Sequence, residues 1–235
     1  MSDTEIVGVF EKCWEELVDE YGKNRLFNVY CSEADIQLHL ASKLLKKLHL
    51  PICVYVEFPV PFEIDDFISQ RFSLGRTMRP MKKGKGIVAD IVVMSAEDLV
   101  PTIIAEIKYG PLAWNYFPIL YAITGKSTKE DRENVKIALQ KKIKSLDALE
   151  KLGPSARALT YYLKNVDKII QLIKNFKEKE NESVYAYLCV IDEVHPNLEQ
   201  VLEKEIEKYN PPKEFRLLFQ YYPVRRWMEE QLKKL

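Results

Sequence analysis

The chain has 235 residues, 47% of them hydrophobic, with 35 acidic and 35 basic side chains and no net formal charge. That hydrophobic content supplies a sizeable core and excludes a disordered chain, while the neutral balance excludes a uniformly basic nucleic-acid coat protein. The longest apolar runs have strand length and no signal peptide opens the sequence, so a cytoplasmic protein with no membrane segment is expected.

In chain order, Glu5–Tyr21 has the pattern of an amphipathic helix, with Val9, Phe10, Cys13, Trp14 and Leu17 on one side. Ser32–Leu48 repeats Ile36, Leu40, Leu44 and Leu48 at every fourth residue, with Ser32 as N-cap and Asp35 in the first turn. Glu33 falls on the same stripe. Ile52–Val60 reads as a strand ended by Pro59 and Pro61. Gly86–Gly110, "GIVADIVVMSAEDLVPTIIAEIKYG", reads as two apolar strands joined by a polar loop about Glu97–Leu99. An aromatic connection with a short helix follows, in which Trp114, Tyr116 and Phe117 fit satellite core better than base stacking. Helices are expected at Glu130–Leu152 and Ser155–Phe176, split by Gly153-Pro154. A buried strand at Val184–Val194, a helix at Leu198–Tyr209, a strand at Phe215–Val224 and a helix at Arg225–Leu235 complete the chain. This order predicts an α/β fold, a central mixed β-sheet flanked by helices on both faces. One domain over 1–235 is expected, with its core at about 32–222 and the terminal helices added to it.

The four cysteines, at 13, 31, 53 and 189, form no CxxC pair and read as reduced thiols. The three histidines are scattered. "TGKST" (Thr124–Thr128) lacks the early glycine of a phosphate-binding loop, since Leu120 stands in its place.

Three charges interrupt the two apolar strands. Val88, Asp90 and Val92 share one face of the first, and Ile104, Glu106 and Lys108 share one face of the second. In an antiparallel hairpin Asp90 falls opposite Glu106, with the side chains roughly 5 Å apart. Two carboxylates that close repel unless a proton or a cation lies between them. Lys108 pairing with one of them gives a buried salt-bridge cluster. The alternative is a divalent cation, and Mg²⁺ binds one or two carboxylates while keeping several waters.

Asp90, then fifteen residues, then Glu106-Ile107-Lys108 resembles the bipartite signature of the PD-(D/E)xK nuclease superfamily, with Gly-Ile-Val-Ala-Asp in place of the literal Pro-Asp. The resemblance covers roughly Ser32–Leu149. It implies a restriction-endonuclease-like core, a meander of three strands and a fourth after a crossover, and a metal-dependent nuclease acting on DNA. It further implies Mg²⁺ or Mn²⁺ held by Asp90, Glu106 and the carbonyl of Ile107. Lys108 would hold the attacking water or neutralise the phosphate. Glu33 would complete the outer shell or bind a second ion, as a first-helix Glu does in such enzymes. In several nuclease lineages a polar residue of the helix after the motif faces the metal, a role open here to Lys136 or Gln140. The tyrosine usual four residues after such a Gln is Lys144, so the subfamily stays unassigned.

From Arg71 to Gly86 the sequence "RFSLGRTMRPMKKGKG" carries six basic residues and no acid. Leading into the Asp90 strand, Arg76, Arg79, Lys82, Lys83 and Lys85 are candidates for phosphate contact, which is sequence-independent and salt-sensitive. Nucleic acid, most readily DNA, is the expected partner, and a homodimer is left open. The competing function is a catalytically inactive nuclease-fold protein that binds DNA or serves in an assembly, since a fold does not fix its function. A small-molecule α/β enzyme with a fortuitous D…ExK is disfavoured by the broken phosphate loop and the absence of a glycine-rich fingerprint.

Overall fold

A computed structural model describes residues 1–24, 32–49, 51–61, 86–95, 101–110, 117–123, 127–180 and 183–235. The described elements are α1 (Asp3–Asn24), α2 (Glu33–Lys47), β1 (Ile52–Pro61), β2 (Gly86–Ser95), β3 (Pro101–Gly110), α3 (Phe117–Ile123), α4 (Lys129–Leu152), α5 (Ala156–Tyr162), α6 (Val166–Glu180), β4 (Tyr185–Asp192), α7 (Leu198–Glu207), β5 (Phe215–Tyr221) and α8 (Val224–Leu232). The fold is α/β, with one five-stranded sheet in the order β1-β2-β3-β4-β5. Strands β1, β2 and β3 form an antiparallel meander. Strands β4 and β5 are joined at like ends, by the Ala186 N–H to the Glu214 carbonyl and by the Tyr222 N–H to the Asp192 carbonyl, each at 2.9 Å. They therefore run parallel. The Glu193 N–H, just past the end of β4, likewise meets the carbonyl of Gly110, the last residue of β3, at 3.2 Å, so the sheet is mixed. No described helix is long and apolar enough to cross a membrane.

The chain divides into two compact units. Unit one comprises Met1–Lys108, Leu163–Cys189 and Glu203–Leu218. Unit two comprises Tyr109–Tyr162, Val190–Leu202 and Phe219–Leu235.

In unit one, α1 packs on α2, and α2 on β1 and β2. The α1 stripe is Ile6, Val7, Phe10, Cys13, Trp14 and Leu17, with Val9 only half-buried. On α2, Ile36, Leu40 and Leu44 are buried at the predicted spacing. Its start is set by a capping box: Ser32 Oγ accepts the Asp35 N–H, and Asp35 Oδ2 accepts the Ser32 N–H. Strand β1 continues through Pro59 and ends at Pro61. It is an edge strand, where a residue lacking an N–H is tolerated. Its pairing with β2 skips one position, Glu57, whose φ of 53° lies in the left-handed region. Strand β3, central in the sheet, is buried from Pro101 to Tyr109. Such a strand reads as a near-continuous apolar run because both faces are covered.

The helix expected over Ser155–Phe176 is two helices in the structure, α5 and α6. Asn165 breaks it with a φ of 71°, a left-handed conformation that Asn adopts more readily than most residues. Its carbonyl then accepts the Ile169 N–H at 2.9 Å and starts α6.

In unit two, Ile119, Leu139, Leu146, Val194, Val224 and Met228 form an apolar cluster. Helix α4 begins at a second capping box, Thr128 with Asp131, and stops at Gly153, whose φ is 70°. Apolar spacing along Val135, Leu139, Leu146 and Leu149 predicts a buried stripe on α4, but Leu149 is 40% exposed, so the stripe narrows to Leu139 and Leu146 with Val135 and Ile143 beside them. At the end of β4, Asp192 accepts the Tyr162 hydroxyl and the N–H groups of Val194 and His195.

Candidate functional site

Strand β2 changes character at Asp90. On the face that Asp90 shares by alternation, Val88 is 47% exposed and Val92 fully buried, so the carboxylate stands at the rim of the core. The ladder pairs Val92 with Ile104 and Ile91 with Ala105, and Asp90 and Glu106 are the next residues along their strands. Asp90 Oδ2 accepts the backbone N–H of Ile107 at 2.5 Å.

Glu106 and Lys108 follow each other on one face of β3. Glu106 Oε1 accepts the Lys108 ammonium at 2.7 Å and the Asn165 side-chain amide at 3.1 Å. Its other oxygen, Oε2, is buried and has no hydrogen-bond partner among the described residues. The same ammonium donates to the Ile107 carbonyl at 3.0 Å and lies 3.5 Å from Glu33 Oε2. Glu33 is the first residue of α2, so the capping box at Ser32 fixes the turn that delivers it. Asp90, Glu106, Lys108, Glu33 and Asn165 all belong to unit one.

The electrostatics follow from burial and from three acids around one base. Burial, with Glu106 next to it, pushes the Asp90 carboxyl up to about 7, against the pull of the Ile107 N–H and of Lys108. Burial draws the Lys108 ammonium down, but Glu106, Glu33 and Asp90 outweigh it, and the group ends above its ordinary value. Lys108 is therefore a cation at neutral pH and donates hydrogen bonds.

The donor set consists of oxygen atoms, suited to a hard divalent cation such as Mg²⁺ or Mn²⁺. An unpartnered buried carboxylate oxygen costs free energy unless something positive or a donor meets it. Glu106 Oε2 and the neighbouring Asp90 fit a cation on both grounds. The Ile107 carbonyl is a further oxygen at the same point, and here it accepts from Lys108. No group of three or more His, Cys, Asp or Glu side chains shaped to hold a metal occurs among the described residues. Any ion would therefore rest on two carboxylates, a carbonyl and water.

Of the other candidates, Lys136 and Gln140 lie on α4 in unit two, half-buried and exposed respectively, and not in the unit that carries the carboxylates. Arg76, Arg79, Lys82, Lys83 and Lys85, with Trp114 and Tyr116, lie outside the described residues. So do Cys31 and the Glu97–Leu99 loop. Cys13, Cys53 and Cys189 are free thiols. An open cleft of about 630 Å³ in unit one, lined by Glu11, Trp14, Glu203, Phe215 and Arg216 among others, contains none of the site residues.

Sequence reasoning missed Asn165. The available signal was an Asn between two helical stretches, a residue type that favours turns and left-handed backbone. Nothing in its spacing from Glu106 connects the two.

No family model, curated protein or solved structure matches this chain.

Proposed function

We propose that the protein is a divalent-metal-dependent nuclease that hydrolyses phosphodiester bonds of DNA, with a restriction-endonuclease-like core. The observation that carries this reading is Glu106 Oε2, buried and unpartnered among the described residues, beside the Asp90 carboxylate. The antiparallel meander β1-β2-β3, followed by β4 after the helices, supports the same reading. So does the D…ExK spacing.

Asp90, Glu106 and the Ile107 carbonyl would hold Mg²⁺ or Mn²⁺. A divalent ion at this point supplies Lewis acidity toward a phosphate oxygen and a lowered pKa for water. The chain's own residues do the rest. Asp90 is tied through one oxygen to the Ile107 N–H, which fixes its carboxyl against the strand that carries Glu106. Lys108 Nζ, protonated and set between Glu106 and Glu33, neutralises phosphate charge and orients the attacking water by hydrogen bonding. Glu33, partly exposed at the start of α2, tunes Lys108 from 3.5 Å.

A second reading is favoured by one observation: Lys108 already closes on Glu106 Oε1 and the Ile107 carbonyl as a salt bridge. On that reading the cluster is structural and the protein binds DNA or serves in an assembly without turnover. Incubation with single-stranded, duplex and branched DNA in Mg²⁺ or Mn²⁺ separates the two. The nuclease reading expects metal-dependent cleavage that is abolished in Lys108→Ala. Absence of cleavage on every substrate and with both metals overturns it.

A further inference from the structure

Glu106 has two donors on the same oxygen and, among the described residues, none on the other. Lys108 Nζ stands 2.7 Å and Asn165 Nδ2 3.1 Å from Oε1, while Oε2 is buried without a partner. Lys108 reaches Glu106 from two residues along the same strand, on a flexible stem. Asn165 approaches from a turn that is distant in sequence and held in a left-handed conformation (φ 71°) at the start of α6. Backbone strain of this kind persists where the surroundings hold it in place. The turn aims one amide N–H at one carboxylate oxygen. The two donors fix the carboxylate plane and satisfy Oε1, which leaves Oε2 bare at the buried point beside Asp90.

We infer that Asn165 is a positioning residue, whose side-chain amide engages Glu106 Oε1 so that Oε2 is presented to a divalent cation. The inference rests on the metal reading of the site and deepens it. Outer hydrogen bonds that orient a ligating carboxylate commonly change metal affinity by about 10- to 100-fold. Asn165 acts only through Glu106.

The test is calorimetric titration of Mn²⁺ into the metal-free full-length protein. Asn165→Gly keeps the left-handed backbone and deletes the amide. Its Mn²⁺ affinity is expected to fall at least about tenfold. Unfolding midpoints measured in chelator give the structural contribution separately. Asn165→Ser adds no charge and falls one bond short of Oε1, so it decides the matter if the glycine variant folds poorly. Weaker Mn²⁺ binding is expected there too. A lowered unfolding midpoint with Mn²⁺ affinity unchanged in the folded protein overturns the positioning role and leaves the metal reading standing. A parent protein that binds no Mn²⁺ overturns the metal reading, and this inference falls with it.

Discussion

Asp90 Oδ2 takes the backbone N–H of Ile107 at 2.5 Å, so the carboxylate of β2 is tied to the strand segment that carries Glu106 and Lys108. The bond favours the ionised form of Asp90. It does not overcome burial and the neighbouring Glu106, and the group stays displaced from an ordinary 3.8 to about 7.

A pH dependence follows from that displacement. The folded chain holds a proton on Asp90 that the unfolded chain has already released, so stability is lost as pH rises from about 4 to about 7. The loss amounts to about 4 kcal/mol for a group shifted this far. Asp90→Asn removes it. In chelator, the unfolding free energy of the parent, taken relative to the Asn variant, should fall across that window and level off above it. A difference that stays flat or rises with pH would show Asp90 ionised throughout.

Lys108 is the only cation at the cluster among the described residues, and its removal leaves Glu106, Glu33 and Asp90 facing one another. Breaking a buried pair on one side costs about 3–5 kcal/mol. Lys108→Met should lower the unfolding midpoint in chelator by a corresponding amount. Mn²⁺ should then raise the midpoint of the variant more than that of the parent, because the ion takes over charge that the ammonium had balanced. Equal Mn²⁺ shifts in the two proteins would show that the ammonium and the ion do not share ligands.

Much of the site is legible in the residues themselves. Period-two alternation predicts Asp90 and Glu106 on matching faces, and the observed ladder runs to Ile91 with Ala105, one residue short of that pair. The Ser32–Asp35 box and the stripe of Ile36, Leu40 and Leu44 are equally plain, because capping and helical spacing are local signals. What escapes is non-local. Pro59 reads as a strand terminator until the strand is known to be an edge. Asn165 reads as helix interior until its left-handed turn brings it to Glu106, 59 residues away in sequence. Leu149 is apolar and correctly spaced, yet it is 40% exposed among the described residues, because helical spacing does not say how far along the helix its packing partners reach.

Gly110 ends β3 where a side chain has no room. A Cβ there would fall well inside contact distance of the Tyr162 hydroxyl and 2.6 Å from Asp192 Oδ2. Gly110→Ala should therefore disturb the bond from the Tyr162 hydroxyl to Asp192 and cost about 1–3 kcal/mol. Chemical denaturation measures it. A neutral substitution would mean that Tyr162 can swing aside freely.

The basic stretch from Arg71 to Lys85 makes a prediction from charge alone. Replacing Lys82, Lys83 and Lys85 with Ala should weaken DNA binding about equally for all sequences. Each duplex phosphate left without its cationic neighbour should flatten the salt dependence by about 0.9. Fluorescence anisotropy across a salt series reads both quantities. Unchanged affinity and slope would remove this stretch from the DNA path.

The proposed chemistry stands or falls on Asp90 and Glu106 jointly holding a divalent cation. Calorimetric titration of Mn²⁺ into the parent, Asp90→Asn and Glu106→Gln decides it, with circular dichroism confirming that all three proteins are folded. Binding is expected in the parent and in neither variant. Equal binding in all three proteins, or none in the parent, would refute the cation site.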